Sequence, residues 1–216
     1  MKNLRFITPN LMLAALSLTV IAMVIACATA PKGSVNVQSS VDPSLRANAV
    51  KSIGVFPIRN VRLSPDELRE INKGMVTGFQ TQNPHLAILG PGEAVTKLNE
   101  ADLAETYSEF LRNYSQSAIP NVNALRKIGT TLQIDGILQG EVFDIQQNDG
   151  HDNLYGNTRL TVRYTLLGTR TGDTLWQVTA KVTDMCKKPN IPAPTLYQAM
   201  QKAQEKILSQ LPMLAQ

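Results

Sequence analysis

Residues 158–183 read TRLTVRYTLLGTRTGDTLWQVTAKVT, and this stretch decides the fold class. In its first half Leu160, Val162, Tyr164 and Leu166 alternate with Arg159, Thr161, Arg163 and Thr165. In its second half Trp176, Val178, Ala180 and Val182 alternate with Gln177, Thr179 and Lys181. A side-chain period of two puts each apolar set on one face and leaves the other wet, as in an antiparallel pair packed on helices. Between the halves, Arg170-Thr171-Gly172-Asp173 is a hairpin turn in which Gly172 can take positive φ. Trp176 lies four residues later on the apolar face and is expected in the core.

Working upstream, Ile134 to Gln146 is predicted as a third long strand, with Gly140 marking a bulge or a close approach. Helices precede it. Asn121 caps one whose apolar positions are Val122, Leu125, Ile128 and Leu132. Another is predicted over residues 101–114, and a short one over 93–98. Ser64, Pro65, Asp66 and Glu67 supply an N-cap, a proline at the first helical position and a capping-box glutamate. Leu68, Ile71, Met75 and Phe79 then form one buried stripe, ended by Asn83-Pro84. Short apolar runs at 52–58 and 85–89 are strands, the second closed by Gly90-Pro91-Gly92. Downstream, residues 195–211 form a last helix with Leu196, Met200, Ala203, Ile207 and Leu211 inward. The fold class is α/β (α+β): a single mixed sheet of about five strands, a C-terminal antiparallel meander, and helices packed on it.

Of 216 residues, 43% are hydrophobic and 18% charged, a balance too apolar for disorder and too polar for a multispan membrane protein. There are 21 basic and 17 acidic residues. Lys2 and Arg5 fall in the first ten, and the rest are scattered. No basic stripe or nucleic-acid reading motif stands out, so no nucleic-acid partner is expected.

The amino terminus is different in kind. Lys2 and Arg5 precede sixteen uncharged residues, Leu11 to Ala26, too short for a permanent span and suited to a secretory apolar segment. Val24-Ile25-Ala26-Cys27 resembles a bacterial lipobox. That resemblance implies cleavage between Ala26 and Cys27, a diacylglycerol on the Cys27 thiol and an acyl chain on its amino group. It implies no other cofactor. Two or more acyl chains hold a protein firmly at a membrane, where one does not. Residue 28 is alanine rather than the aspartate of inner-membrane retention, which implies the outer membrane of a Gram-negative-type cell. Residues 27–47, rich in Ser, Pro, Ala and Gly after the cysteine, are read as the lipidated residue and a flexible tether. Residues 48–216 are the periplasmic domain, and 1–26 the signal peptide. Cys186 is then left as a free thiol, expected to be buried.

Three segments carry a further resemblance. They are Ala124–Gly129, Ile134–Val142 and Arg170–Trp176, the last containing a T-G-x-x-x-W element. Together they resemble envelope lipoproteins of the LpoB and CsgG group, whose domain is similar to the amino-terminal domain of TolB. The resemblance implies a membrane-tethered protein that binds an envelope protein partner, with homo-oligomerisation open. An LpoB-like activator of a peptidoglycan synthase and a CsgG-like component of a secretion machine are the alternatives it contains.

No nucleophile elbow, Walker loop, H-E-x-x-H or C-x-x-C occurs, and the chain is not expected to be an enzyme. With two histidines, His85 and His151, and two cysteines, no metal site is expected either. The expected partner loop is the hairpin connection of about eleven residues, Gln146–Gly156, long against the usual two to five. It offers Asn148, Asp149, His151, Asp152 and Tyr155 for hydrogen-bonded docking.

Overall fold

The computed structural model describes residues 32–43, 45, 50–59 and 63–214. The expected signal peptide 1–26, the expected cleavage site and Cys27, the expected lipid acceptor, lie outside the described residues. In chain order the elements are β1 (Ser34–Val41), β2 (Ser52–Val55), α1 (Pro65–Gln82), β3 (Ala87–Leu89), α2 (Pro91–Glu100) and α3 (Ala104–Ser117). Then follow α4 (Val122–Leu132), β4 (Gly136–Asn148), β5 (Tyr155–Gly168), β6 (Thr174–Pro189) and α5 (Leu196–Leu208). The strands make one mixed sheet in the order β1-β6-β5-β4-β2-β3. β2 is parallel to both β3 and β4, and the other pairs are antiparallel. The mixed α/β class with one sheet and helices packed on it is the one the alternation predicts.

Most element ends shift by a few residues, and two differences from the sequence reading matter for the surface, the first giving the sheet six strands rather than about five. Residues 34–41, read as part of the tether, are β1, paired with β6 from Ser34↔Thr183 to Val41↔Trp176. Serine, asparagine and glutamine are weak strand formers, so nothing local demands a strand there. The free edge of β6 supplies the ladder, and Val35 and Val37 pack against the core once it forms. The segment left between Cys27 and the sheet shrinks to residues 28–33. The hairpin connection is also shorter, because β4 runs to Asn148 and β5 starts at Tyr155, leaving 149–154. A register shift between Phe143 and Gln146, with Asp144 at φ +54°, places one extra residue of β4 in a bulge.

Helices cover the sheet unequally. On one face Leu138, Tyr164, Trp176, Val178 and Val182 meet Ile71, Met75 and Phe79 of α1 and Met200, Ala203 and Ile207 of α5. Trp176 is wholly buried, edge-on to Phe79 at 5.7 Å, and its Nε1–H donates to Ser39 Oγ of β1 at 3.0 Å. On the other face Phe56, Ile137 and Leu167 meet Leu98, Phe110, Leu125 and Ile128 from α2, α3 and α4. This second core stops at the beginning of β4.

Local signals account for the helix starts. Ser64 and Glu67 close a capping box on α1, and Thr195 and Gln198 close one on α5. Asn121 Oδ1 accepts from the Ala124 N–H at α4. Gly172 sits at φ +79° in the β5–β6 turn, a conformation that strains other residues. Gly140 faces Tyr164 across the β4–β5 ladder. A Cβ there would lie 2.6 Å from the Tyr164 ring, so the missing side chain makes room for the ring.

Candidate functional site

Beyond the second core, one face of β4, β5, β6 and β1 carries no apolar cluster. The ladder registers arrange it in four rows across the strands. The first is Gln139, Thr165, Gln177 and Ser40. The second is Glu141, Arg163, Thr179 and Gln38. The third is Phe143, Thr161, Lys181 and Asn36, and the fourth Gln146, Arg159, Thr183 and Ser34. These are the residues that alternate with the Trp176 core, so the period of two that buries one set turns the other to the opposite face. There Gln139, Thr161 and Thr165 are buried among their longer neighbours, and Arg159, Arg163 and Lys181 are exposed.

The charges on this face are uneven. Arg59, joined to the sheet by its bridge to Glu141, forms an ion pair with that carboxylate and donates to Ser115 Oγ at 2.7 Å. The one acidic group of the rows is thereby neutralised. Arg159, Arg163 and Lys181 are exposed and form no ion pair among the described residues. The Arg163 guanidinium lies over the Phe143 ring, 5.1 Å from its centroid, a cation–π contact. α3 borders the first row, where the Tyr107 hydroxyl bonds Gln139 Oε1. Burial pushes the Tyr107 hydroxyl well above the usual tyrosine range, against a smaller downward pull from Arg59, so it stays neutral. A recess of about 110 Å³ opens here between Arg59, Tyr114, Gln139, Glu141, Arg163 and Gln177.

The hairpin tip lies at the far end of β4 and β5. Asn148 pairs with Asn157 at the end of the ladder, and Tyr155 opens β5 opposite Pro189. Asp149 Oδ1 accepts from the Ala193 N–H at 2.8 Å, and the His151 ring Nδ1 lies 3.0 Å from the Asp149 carbonyl. Asp152 and Asn153 turn the chain at φ +50° and +64°. Asn153 N–H donates to Asn190 Oδ1 at 2.8 Å. The tip is thus stitched to the segment after β6, which the sequence reading did not anticipate. Tip and segment together expose Leu154 (61%) and Ile191 (40%).

Cys186 is buried, and its Sγ donates to the Pro192 carbonyl at 2.9 Å. Among the described residues no group of three or more His, Cys, Asp or Glu could hold a metal ion. No described helix is long and apolar enough to cross a membrane. The alternation had already separated Arg159, Arg163 and Lys181 from the core. It left unseen that Glu141 and Phe143 of β4 and Asn36, Gln38 and Ser40 of β1 share their face, although the signal is the same period.

No protein-family model matches the chain, and no curated protein matches it in sequence. Solved structures do. The PelC dodecamer from Paraburkholderia phytofirmans is 15% identical, covering 85% of this chain and 99% of that one at a TM-score of 0.48. Lipoprotein GNA1162 from Neisseria meningitidis is also 15% identical, covering 74% and 96%, at 0.42. The LpoB C-terminal domain from Salmonella enterica is 13% identical, covering 65% and 85%, at 0.32. At these levels the functional reading rests on this chain's own residues.

Proposed function

We propose that this chain is a lipid-anchored adaptor or assembly factor of the Gram-negative cell envelope. It sits at the outer membrane with its domain facing the periplasm, and it acts by binding a protein partner rather than by catalysis. The observation that carries this reading is the uncovered four-strand face. It combines hydroxyl and amide groups with three cations that have no carboxylate partner among the described residues and an aromatic ring lying under one of them. Arginine and aromatic side chains are enriched where proteins dock, and a net positive face favours a partner with an acidic surface. The Val24–Cys27 segment supports the anchor. Residues 28–33 then span at most about 22 Å, a short leash between the anchor and the domain.

Two experiments test the reading. Cys27→Ala is expected to leave an uncleaved precursor without fatty-acid label, and a processed, labelled variant would overturn the anchor. A photo-crosslinking residue at Thr179, used in living cells, is expected to give a discrete adduct. The same residue at Lys73 on α1 gives none, and Arg159→Glu with Lys181→Glu abolishes the Thr179 adduct without changing the melting temperature. Equal adducts from both positions, or none, would exclude this face as the docking site.

A further inference from the structure

Sheet edges in proteins are normally blunted by lysine, proline, bulges, shortness or a covering element. The β3 edge follows that rule, being three residues long. β1 does not. It is eight residues of SVNVQSSV, uncharged, free of proline, paired to β6 in unbroken register, and nothing among the described residues pairs with its outer side. The Asp42 N–H donates to the Leu175 carbonyl at 3.0 Å, which shows that the even-numbered residues of this run aim their backbone groups at β6. The N–H and C=O groups of Val35, Val37, Ser39 and Val41 therefore point away from the sheet. Val41 is in addition 50% exposed, the one large apolar side chain of β1 left so open.

We infer that β1 is a homodimerisation strand: two copies pair antiparallel through a two-fold axis at Gln38, joining their sheets into one. The register follows from the strand itself. The four outward-pointing residues are centred on position 38, so an axis there uses every outward donor and acceptor of both copies. It sets Val37 opposite Ser39 and Val35 opposite Val41, which covers the exposed valine. Asn36 then faces Ser40 and Gln38 faces its own copy, so no like charges meet on the axis. A two-fold perpendicular to the sheet keeps faces matched, so the polar rows of the two copies become continuous. Strand pairing alone buries less than the roughly 1,200 Å² typical of stable complexes. Confinement of both copies to a membrane by a short tether raises their effective concentration, and only this term rests on the lipid anchor proposed above.

The test is disulfide trapping of the full chain in membranes of lysed cells, with an oxidant added so that the readout does not depend on the compartment the chain occupies. Directly opposed residues that do not exchange ladder hydrogen bonds have Cα atoms about 4.5 Å apart, within disulfide reach. Gln38→Cys is expected to give covalent dimers in high yield. Asn36→Cys alone should not, since its copies would lie more than about 13 Å apart along the strands, whereas Asn36→Cys combined with Ser40→Cys should. Adding Val37→Pro to Gln38→Cys removes an outward N–H and spares the β6 ladder. The dimer yield should fall by about tenfold or more. Should that variant fail to accumulate, Val41→Lys serves in its place. Dimer from Gln38→Cys no greater than from Lys73→Cys, equal trapping by Asn36→Cys alone, or an adduct to a different protein would each overturn the inference. The Thr179 adduct is read separately, so failure here leaves the docking face standing on its own test.

Discussion

The two ends of the sheet are built from the same kinds of strand but end up in different surroundings. At the β3–β2 end and the start of β4, helices lie on both faces, and β2 and β3 are short strands, with β2 parallel to both of its neighbours. At the β5–β6–β1 end, α1 and α5 cover one face and most of the other carries no helix, and the strands are antiparallel with a largely alternating pattern. Doubly covered parallel strands and singly covered antiparallel ones are the two ways a sheet satisfies its apolar residues. The lesson is that the first end is scaffold and the second is surface. Only a strand with a wet face can offer side chains to a partner without emptying the core.

Substitutions can break or sharpen that contrast. The largest effect is expected where the singly covered end is closed: Trp176→Ala should lower stability by about 3–5 kcal/mol, measured by thermal or denaturant unfolding. A change near zero would place Trp176 outside the core. Gly140→Val comes next. The new side chain collides with the buried Tyr164 ring and with Ile58, and a loss of about 1–3 kcal/mol is expected. Ser39→Ala removes the acceptor of the Trp176 N–H and should cost about 1–2 kcal/mol. It should also raise amide exchange in β1 more than in β4, and uniform exchange would show that β1 is not held by this contact. Smallest of all, Lys181→Gln on the open face should stay within about 0.5 kcal/mol, as surface changes do. A larger loss would mean that the face is packed against something and not free to dock.

The sequence already contained the meander, because two runs of strict alternation flank a T-G-D turn and no helix has that period. It contained the starts of α1 and α4, because caps are local chemistry. The hairpin tip was visible only as a loop. Its hydrogen bonds from the Ala193 N–H to Asp149 and from the Asn153 N–H to Asn190 join residues that no local pattern connects. The open face was half visible: β5 and β6 showed their polar sets, whereas the contributions of β4 and β1 depend on registers that ladder geometry sets.

By itself, then, the amino-acid sequence determined which segments are periodic and which side of each is greasy, since burial of apolar side chains is a property of spacing. Tertiary structure alone decided that Ser34–Val41 is a strand. Its residues bury too little to fold independently, and only the unpaired edge of β6, with Trp176 reaching back to Ser39, makes the extended conformation the favourable one. Tertiary structure likewise decided which wet face stays open. α2, α3 and α4 end their coverage at the start of β4, and whether a polar row meets helix or solvent depends on where those helices pack, not on the row.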